Sequence, residues 1–222
     1  MALDFSRIDA VLFDVDGTLR DTDDEVIARV EGILGPVVGR GREAGWARPL
    51  VTAVERPVQG LLGLADRVDL DGVLNRLLDW LAPRGQTCLV AGASEVLRSL
   101  SGTVGIGVVS AGPERQVRRF LDDHDLHPLV DVVVTGQTYR RTKPHAEPLL
   151  GALRTLGVAP GRAVMVGDTT VDIKAGRAAG TQTLGVLTGF GRHADLIRCG
   201  PTQIASTLSP LVAGIAGHAE VA

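Results

Sequence analysis

Cysteine and lysine are both scarce in this chain of 222 residues. Its two cysteines, Cys88 and Cys199, have no Cys/His spacing typical of zinc ligands. They predict neither a disulfide framework nor a zinc site, and we expect two free thiols. Lys143 and Lys174 are the only lysines among the 23 Lys and Arg residues, so there are only two candidates for a catalytic lysine.

Long apolar runs and a strong excess of one charge are absent as well. No stretch approaches the roughly 20 apolar residues of a membrane-spanning helix, and the N-terminus lacks the basic segment of a signal peptide. The net charge of −3 gives no electrostatic case for binding nucleic acid or an anionic membrane. Apolar residues at 45% and charged residues at 22% are typical of a globular protein. We expect a cytoplasmic protein with one domain, or a core with a small insert.

Short runs rich in β-branched residues alternate with segments of helical periodicity from residue 104 onward. The runs are 104–110, 129–136, 162–168 and 181–189, and residues 8–14 form a similar run near the N-terminus. Continuous apolar strands separated by helices are typical of a parallel sheet covered on both faces. The sequence therefore predicts an α/β fold with a doubly wound, Rossmann-like parallel sheet, and Gly157 and Gly180 are expected to end two of its helices.

Residues 20–88 interrupt this alternation. They contain four segments with apolar residues at helical spacing and no clear strand, which predicts an α-helical insert after the first strand. The chain is expected to rejoin the core near a helix that Ser94 caps. We therefore predict a core of residues 1–19 and 89–222 and an α-helical cap of residues 20–88. A weak helix is expected in the tail from about residue 201.

The first strand ends in Asp14-Val15-Asp16-Gly17-Thr18. Alternate residues of an extended strand face the same side, so we expect Asp14 and Asp16 to share a face before Gly17 turns the chain. Two carboxylates this close repel each other unless a cation lies between them or one is protonated. One could attack a substrate while the other transfers a proton, and a plain Asp-Gly turn is the alternative.

Two other strand ends carry groups that suit an anion. Ser110, Ala111 and Gly112 end one strand just before a helix, where a hydroxyl and free backbone N–H groups can bind a negative charge. Lys143 follows the next strand and could bring a fixed positive charge to the edge of the sheet. An ordinary helix cap and a solvated loop charge are the alternatives for each feature taken alone.

A second pair of acids, Asp168 and Asp172, follows the strand at 162–168. Their spacing of four places them on one face where a helix begins. Ligands of open α/β sheets bind beyond the carboxyl ends of the strands, so these acids are expected near Asp14 and Asp16. Hard carboxylate ligands from two strands suit Mg²⁺. Together, the four strand ends supply what phosphoryl transfer requires.

The motifs DVDGT (14–18), VVS (108–110), KP (143–144) and GDTTVD (167–172) resemble, in that order, those of the haloacid dehalogenase-like hydrolase superfamily. The stretch 143–180 looks most like phosphoglycolate phosphatases and their pyrophosphatase relatives, and residues 20–88 look like a small α-helical cap. The resemblance implies a Mg²⁺-dependent phosphatase that hydrolyses a small phosphorylated metabolite through an aspartyl-phosphate. The sequence leaves a monomer or a homodimer open.

The resemblance also implies roles for single residues. Asp14 would be the nucleophile, Asp16 the general acid and base, and Lys143 the group that neutralises charge on nucleophile and phosphate. The residues expected to bind the substrate are Thr18, Ser110, Ala111, Gly112 and Lys143. The residues expected to hold Mg²⁺ are Asp14, Asp16 through its backbone carbonyl, Asp168 and Asp172.

Other chemistries of the superfamily are separable by residue type. Haloacid dehalogenases lack the second acid of the first motif, so Asp16 argues against dehalogenation. Phosphonoacetaldehyde hydrolases need a lysine in the cap, and no lysine precedes Lys143 here. A phosphosugar mutase and a pyrophosphatase stay open as alternatives. A non-catalytic binding module would be expected to have lost at least one of these groups.

Overall fold

The computed structural model describes residues 2–21 and 88–219. Its eight strands, in chain order, are β1 (Ala10–Phe13), β2 (Arg20–Asp21), β3 (Cys88–Leu89), β4 (Gly105–Val109), β5 (Val132–Val134), β6 (Ala163–Gly167), β7 (Gln182–Val186) and β8 (Gln203–Ala205). Its six α-helices are α1 (Ala93–Leu100), α2 (Glu114–Asp123), α3 (Glu147–Leu156), α4 (Thr170–Ala179), α5 (His193–Arg198) and α6 (Ser209–Ala219). None of these helices is long and apolar enough to span a lipid bilayer.

Six of the strands form one parallel sheet in the order β5-β4-β1-β6-β7-β8. The central strand β1 is buried along its whole length, as its apolar sequence predicts. Phe13, its last residue, lies beside Val108 of β4 and Val166 of β6. The three strands therefore end at nearly the same level, which brings the residues that follow them to one edge of the sheet.

Helices cover both faces of this sheet, and alternate residues of β1 point into two separate cores. Val11 and Phe13 pack in a cluster with apolar residues of α1, α2 and α6. Ala10 and Leu12 pack in a second cluster with residues of α3 and α4. The expected doubly wound α/β core is confirmed.

Glycines end two helices as expected, but the start of α1 differs from the expectation. Gly157 and Gly180 follow α3 and α4 with φ values of +70° and +81°, in the left-handed region that favours glycine. Ser94 does not cap α1, because that helix starts at Ala93 after Gly92. The Ser94 hydroxyl instead accepts a hydrogen bond of 3.2 Å from Arg98 Nε, within the helix.

The tail from about residue 201 contains the expected helix, α6, and also a strand that was not expected. Strand β8 precedes α6 and extends the sheet by pairing with β7. Three half-buried residues form β8, a length too short for a recognisable alternation of apolar and polar residues. Neither cysteine forms a disulfide; Cys88 is exposed and Cys199 half-buried.

A two-stranded antiparallel pair lies where the expected insert begins and ends. Arg20 of β2 lies opposite Leu89 of β3, and Asp21 lies opposite Cys88. Residues 22–87, which make up nearly all of the predicted helical cap, lie outside the described residues. The division into a core and a cap at residues 20–88 therefore stays a prediction.

Candidate active site

The carboxyl ends of β1, β4 and β6 carry the acids and the hydroxyl that the sequence singled out. Asp14 follows β1, and its backbone N–H donates 2.9 Å to the carbonyl of Val166 in β6. Ser110 follows β4, and its backbone N–H donates 2.9 Å to the carbonyl of Val134 in β5. Backbone pairing of the sheet thus fixes these residues at a common edge, as the topology predicts.

Lys143 joins two of the acids. Its Nζ lies 2.6 Å from Asp14 Oδ1 and 2.7 Å from Asp172 Oδ1, and all three residues are buried. Burial by itself would lower the pKa of Lys143, but the two carboxylates outweigh burial, so the pKa is raised and the ammonium stays charged. The cluster is a buried ion triad built from three separate parts of the chain.

Asp172 is fixed from both sides. Its Oδ1 accepts from Lys143, while its Oδ2 accepts from the Thr169 backbone N–H at 3.1 Å and from the Thr169 hydroxyl at 2.6 Å. Thr169 is the residue before α4, so these bonds also cap that helix. Gly167 makes the arrangement possible, because a Cβ there would overlap the Asp172 carboxyl group. The GDTTVD motif therefore presents Asp172 with a single defined orientation.

Asp168 contributes the feature that points to a cation. The residue is 1% exposed, and its Oδ1 has no hydrogen-bond partner among the described residues. Oxygens of Asp14, Asp168 and Asp172 lie within 4.8 Å of one another. A buried carboxylate oxygen without a donor is costly unless a cation compensates it, and such oxygens are the ligands that Mg²⁺ prefers. The residues present therefore fit a divalent cation.

The electrostatics of the cluster agree with that fit. Burial raises the pKa of Asp14 to about 7; the Lys143 charge opposes the rise, while Asp172 and Asp16 add to it. Burial, together with the charges of Asp172 and Asp14, also holds the pKa of Asp168 well above its usual value. When all three buried acids are ionised, they face a single lysine, and a divalent cation would neutralise the excess of negative charge.

Ser110 and the residues after it form the other side of the site. Ser110 is buried, and its Oγ accepts a 3.0 Å hydrogen bond from the Gly112 N–H. The Gly112 carbonyl accepts a 3.1 Å bond from the Gly136 N–H, which ties this turn to the loop after β5. Within the described segments the Ser110 hydroxyl only accepts, so its hydrogen can donate to another group.

Asp16 and Thr18 differ in their surroundings, although both belong to the first motif. The Asp16 side chain is 40% exposed, and its Oδ1 accepts a 2.8 Å hydrogen bond from Arg20 Nε. Thr18 is wholly buried, and its hydroxyl has no hydrogen-bond partner in the part of the chain that the structure describes. A substrate contact by Thr18 stays a prediction.

Comparisons with known proteins identify the family. The sequence model of the haloacid dehalogenase-like hydrolase family matches residues 69–186 of this chain. The chain is 31% identical over 198 residues to the N-acetylmuramic acid 6-phosphate phosphatase of Pseudomonas putida, covering 83% of this chain and 85% of the relative. The chain belongs to the haloacid dehalogenase-like hydrolases. It is also 30% identical to the phosphoglycolate phosphatase of Escherichia coli, covering 86% and 87% of the two chains.

Solved structures share the fold of this haloacid dehalogenase-like hydrolase. A putative haloacid dehalogenase-like hydrolase from Bacteroides fragilis superposes with a TM-score of 0.72 at 24% identity, covering 92% of this chain and 99% of the other. A predicted phosphoglycolate phosphatase from Haemophilus somnus superposes with a TM-score of 0.71 at 20% identity, covering 93% and 97%. At these identities, the structural likeness shows the fold alone.

One part of the site was not anticipated from the sequence. In the loop after β7, the Thr188 hydroxyl donates a hydrogen bond of 2.7 Å to the Gly17 carbonyl. A Cβ at Gly189 would overlap Asp168 Oδ2 and the Gly17 Cα, and a Cβ at Gly191 would overlap the Asp168 carbonyl. Two glycines separated by a single residue, just beyond a strand end, were the signal available for this close approach.

Proposed function

We propose that this haloacid dehalogenase-like hydrolase is a Mg²⁺-dependent phosphatase that hydrolyses a monoester of a small phosphorylated metabolite through an aspartyl-phosphate. The observation that carries the proposal is the buried triad of Asp14, Lys143 and Asp172 beside an Asp168 oxygen that lacks a donor among residues 2–21 and 88–219. It combines a nucleophile, a fixed positive charge and a cation site at one sheet edge. The phosphatase names of the relatives point to the same reaction.

The first half-reaction transfers the phosphoryl group to Asp14. Lys143 holds Asp14 Oδ1, so the other carboxylate oxygen attacks the phosphorus. A bond forms between this oxygen and phosphorus while the bond from phosphorus to the ester oxygen breaks. Asp16 gives its proton to the departing oxygen, which leaves as an alcohol, and Asp16 becomes a carboxylate.

The second half-reaction restores the enzyme. The Asp16 carboxylate takes a proton from a water molecule as that water attacks the phosphorus of the aspartyl-phosphate. The bond between phosphorus and the Asp14 oxygen breaks, inorganic phosphate is released, and Asp14 returns to a carboxylate. Asp16 is again protonated and ready for the next ester.

Donors for the phosphoryl oxygens come from two loops. Lys143 has three ammonium hydrogens and uses two of them on Asp14 and Asp172, which leaves one for the substrate. The Ser110 hydroxyl hydrogen supplies a second donor. Because the Gly112 N–H already bonds Ser110 Oγ, we assign the Ala111 N–H as the backbone donor to the substrate.

For the metal, we propose Mg²⁺ held by Asp14, Asp168 and the backbone carbonyl of Asp16, with Asp172 assisting. Gly17, the neighbour of Asp16, packs against Asp168 Oδ2, which supports a carbonyl ligand from this turn. When bound, the ion supplies positive charge that polarises the phosphoryl group. We also propose that residues 20–88 form a cap that restricts the site to small substrates. A cytoplasmic location and a monomeric or dimeric state stay predictions.

A phosphatase assay tests the proposal. Purified protein should release phosphate from p-nitrophenyl phosphate in the presence of Mg²⁺ and lose that activity in EDTA. Asp14→Asn should abolish turnover, because an amide is a poor nucleophile, whereas Asp195→Asn on the surface of α5 should have no effect. Retention of more than a few per cent of activity in Asp14→Asn would contradict the covalent mechanism.

A second screen with Mg²⁺ identifies the substrate class. It should include N-acetylmuramic acid 6-phosphate, phosphoglycolate and pyrophosphate, because relatives are named as a phosphatase for each of the first two compounds and as a pyrophosphatase. Hexose phosphates should be included to test for a mutase. Hydrolysis of one small monoester well above the others is the expected result. A preference for pyrophosphate, or the conversion of one hexose phosphate into another, would replace the monoesterase assignment.

A further inference from the structure

Arg20 contacts the carboxylate to which we assign proton transfer. Both Nε, at 2.8 Å, and Nη2 of Arg20 donate to the same oxygen, Asp16 Oδ1. Arg20 follows Asp16 by four residues and lies outside the residues that the motif assigns to the site. The contact is therefore a feature of this chain that the proposed chemistry has not used.

The Arg20 side chain is itself held in place. Only 11% of it is exposed, and its guanidinium carbon lies 5.7 Å from the centre of the Phe120 ring, which is buried in α2. The Arg20 backbone N–H donates a hydrogen bond of 2.8 Å to the Val15 carbonyl. The Arg20 carbonyl accepts a hydrogen bond of 2.8 Å from the Gly17 N–H. Arg20 is thus anchored by its backbone to the turn that carries Asp16 and by its side chain to a core helix.

The two oxygens of Asp16 consequently face different surroundings. Oδ1 is taken by Arg20, while Oδ2 lies 3.8 Å from the position that a Cβ of Gly112 would occupy. Gly112 belongs to the turn of Ser110, where we place the phosphoryl group. One oxygen is fixed by Arg20, and the other faces the turn that carries Ser110 and Gly112.

We propose that Arg20 is the positioning residue for Asp16: it holds Oδ1 so that Oδ2 faces the ester oxygen. The proposal rests on the proposed function, because it takes Asp16 as the general acid. Arg20 touches neither substrate nor metal and acts only through Asp16. Its loss should leave substrate binding intact and should slow the step in which the leaving oxygen needs a proton.

The test compares phenyl phosphate with p-nitrophenyl phosphate, which are similar in size but differ in how much the leaving oxygen needs a proton. The measured quantity is kcat/KM, which covers the steps up to departure of that oxygen. Arg20→Met should lower it about 10-fold or more for phenyl phosphate and clearly less for p-nitrophenyl phosphate. Arg20→Lys, which keeps the charge, should recover part of the loss.

A double-mutant cycle separates positioning from a general loss of structure. In the Asp16→Asn background, Arg20→Met should have almost no further effect on either substrate, because its target is already lost. Arg119→Met is the matched control: Arg119 forms the same i,i+4 pair with Asp123, at 3.3 Å on the exposed face of α2, and should leave both rates unchanged. Thermal melting of each variant reports on the fold.

The outcomes distinguish the two proposals. If Asp16→Asn affects both substrates equally, the general-acid assignment fails, and with it the basis of the inference. If Asp16→Asn is selective but Arg20→Met is neutral, equally harmful to both substrates, or fully additive with Asp16→Asn, only the positioning role is overturned.

Discussion

The Lys143 ammonium lies 2.6 Å from the Asp14 carboxylate, although the two residues are 129 positions apart in the chain. Asp172 accepts from the same ammonium at 2.7 Å, so a single cation compensates two buried acids. Asp168 adds a third acid, one of whose oxygens lacks a donor in the described part of the chain. Without a bound metal ion, the site therefore has more acidic groups than Lys143 can compensate. Removing the lysine and removing one of the acids should have different effects on the stability of the fold.

Lys143→Met should lower both activity and stability. The change leaves Asp14 and Asp172 buried without a counter-charge, and breaking a buried pair typically costs about 3–5 kcal/mol. Asp14→Asn should abolish activity with little loss of stability, because it removes one of three crowded negative charges. Urea unfolding in EDTA measures the difference. Equal stability of the two variants would contradict the assigned balance of charges.

Asp168→Asn should weaken stabilisation by metal. In the wild type, Mg²⁺ should raise Tm, since a ligand present at about 100 times its Kd contributes about 2.7 kcal/mol. The variant should show a much smaller rise, while its Tm in EDTA should equal or exceed that of the wild type because a buried charge is gone. Melting curves at several Mg²⁺ concentrations test this, with Asp195→Asn as the control. An undiminished shift in Asp168→Asn would remove this residue from the metal site.

Gly189→Ala tests the loop after β7. An added methyl group would overlap Asp168 Oδ2 and the Gly17 Cα, so the carboxylate or the first turn must move. Because small displacements of reacting groups can cost about 10²-fold, we expect kcat to fall by about 10- to 100-fold with the fold retained. Gly161→Ala is the matched control, since its Cβ would meet nothing closer than an Arg7 side-chain nitrogen at 3.7 Å. A kcat of Gly189→Ala equal to that of the wild type would show that catalysis does not depend on this close packing.

Stability at acid pH should depend on the ion pair of Asp9 and Arg162. The pair lies at the amino ends of β1 and β6, away from the active site. Arg162 Nη2 donates 2.7 Å to Asp9 Oδ1, and hydrogen bonding to Arg162 lowers the pKa of Asp9. A lowered pKa in the folded state gives stability that is fully present above the unfolded pKa, about 4, and is lost as the pH falls from there through the lower folded pKa. The Tm difference between wild type and Asp9→Asn should thus be present at pH 7 and shrink progressively as the pH falls below about 4. A difference independent of pH would contradict this origin.

The features that the sequence predicted are those with local signals. Strands β1, β4, β5, β6 and β7 are short runs rich in apolar residues, and glycines such as Gly157 and Gly180 mark helix ends, so the α/β architecture and the four motif-bearing strand ends followed directly. The position of Lys143 beside Asp14 was expected from the family resemblance, whereas its second ion pair, with Asp172, was not predicted. The roles of these residues stay predictions until variants are measured.

The features that escaped prediction depend on contacts between distant or unpatterned segments. Gly189 matters because it touches Asp168 across a turn, and no periodicity reveals that contact. Strand β8 is too short to carry a pattern of its own and exists because β7 offers an edge. Arg20 has the same sequence signal as any surface arginine, and only the structure shows that its side chain is largely covered and lies against the Phe120 ring. Tertiary packing, rather than local preference, decides each case.

The last prediction concerns residues 22–87, most of the expected cap. Asp21 and Cys88 are antiparallel partners, so their backbones are close enough for a short turn to replace everything between them. A four-residue Gly/Ser linker in place of 22–87 should leave the core sheet and the cluster of Asp14, Lys143 and Asp168 in place. The shortened protein should therefore still show a rise of Tm with Mg²⁺, and Asp168→Asn should still reduce that rise.

Selectivity among phosphate esters should collapse in the shortened protein. A closing cap excludes water and contacts the part of the substrate beyond the phosphate, whereas the core acids contact only the phosphoryl group and the ester oxygen. The ratio of kcat/KM between the best and the poorest small ester should approach one, and bulky phosphorylated substrates refused by the full chain should be accepted. If the shortened protein binds Mg²⁺ but keeps the substrate ranking of the full chain, discrimination lies in the core loops, and the assignment of residues 20–88 as a specificity cap is wrong.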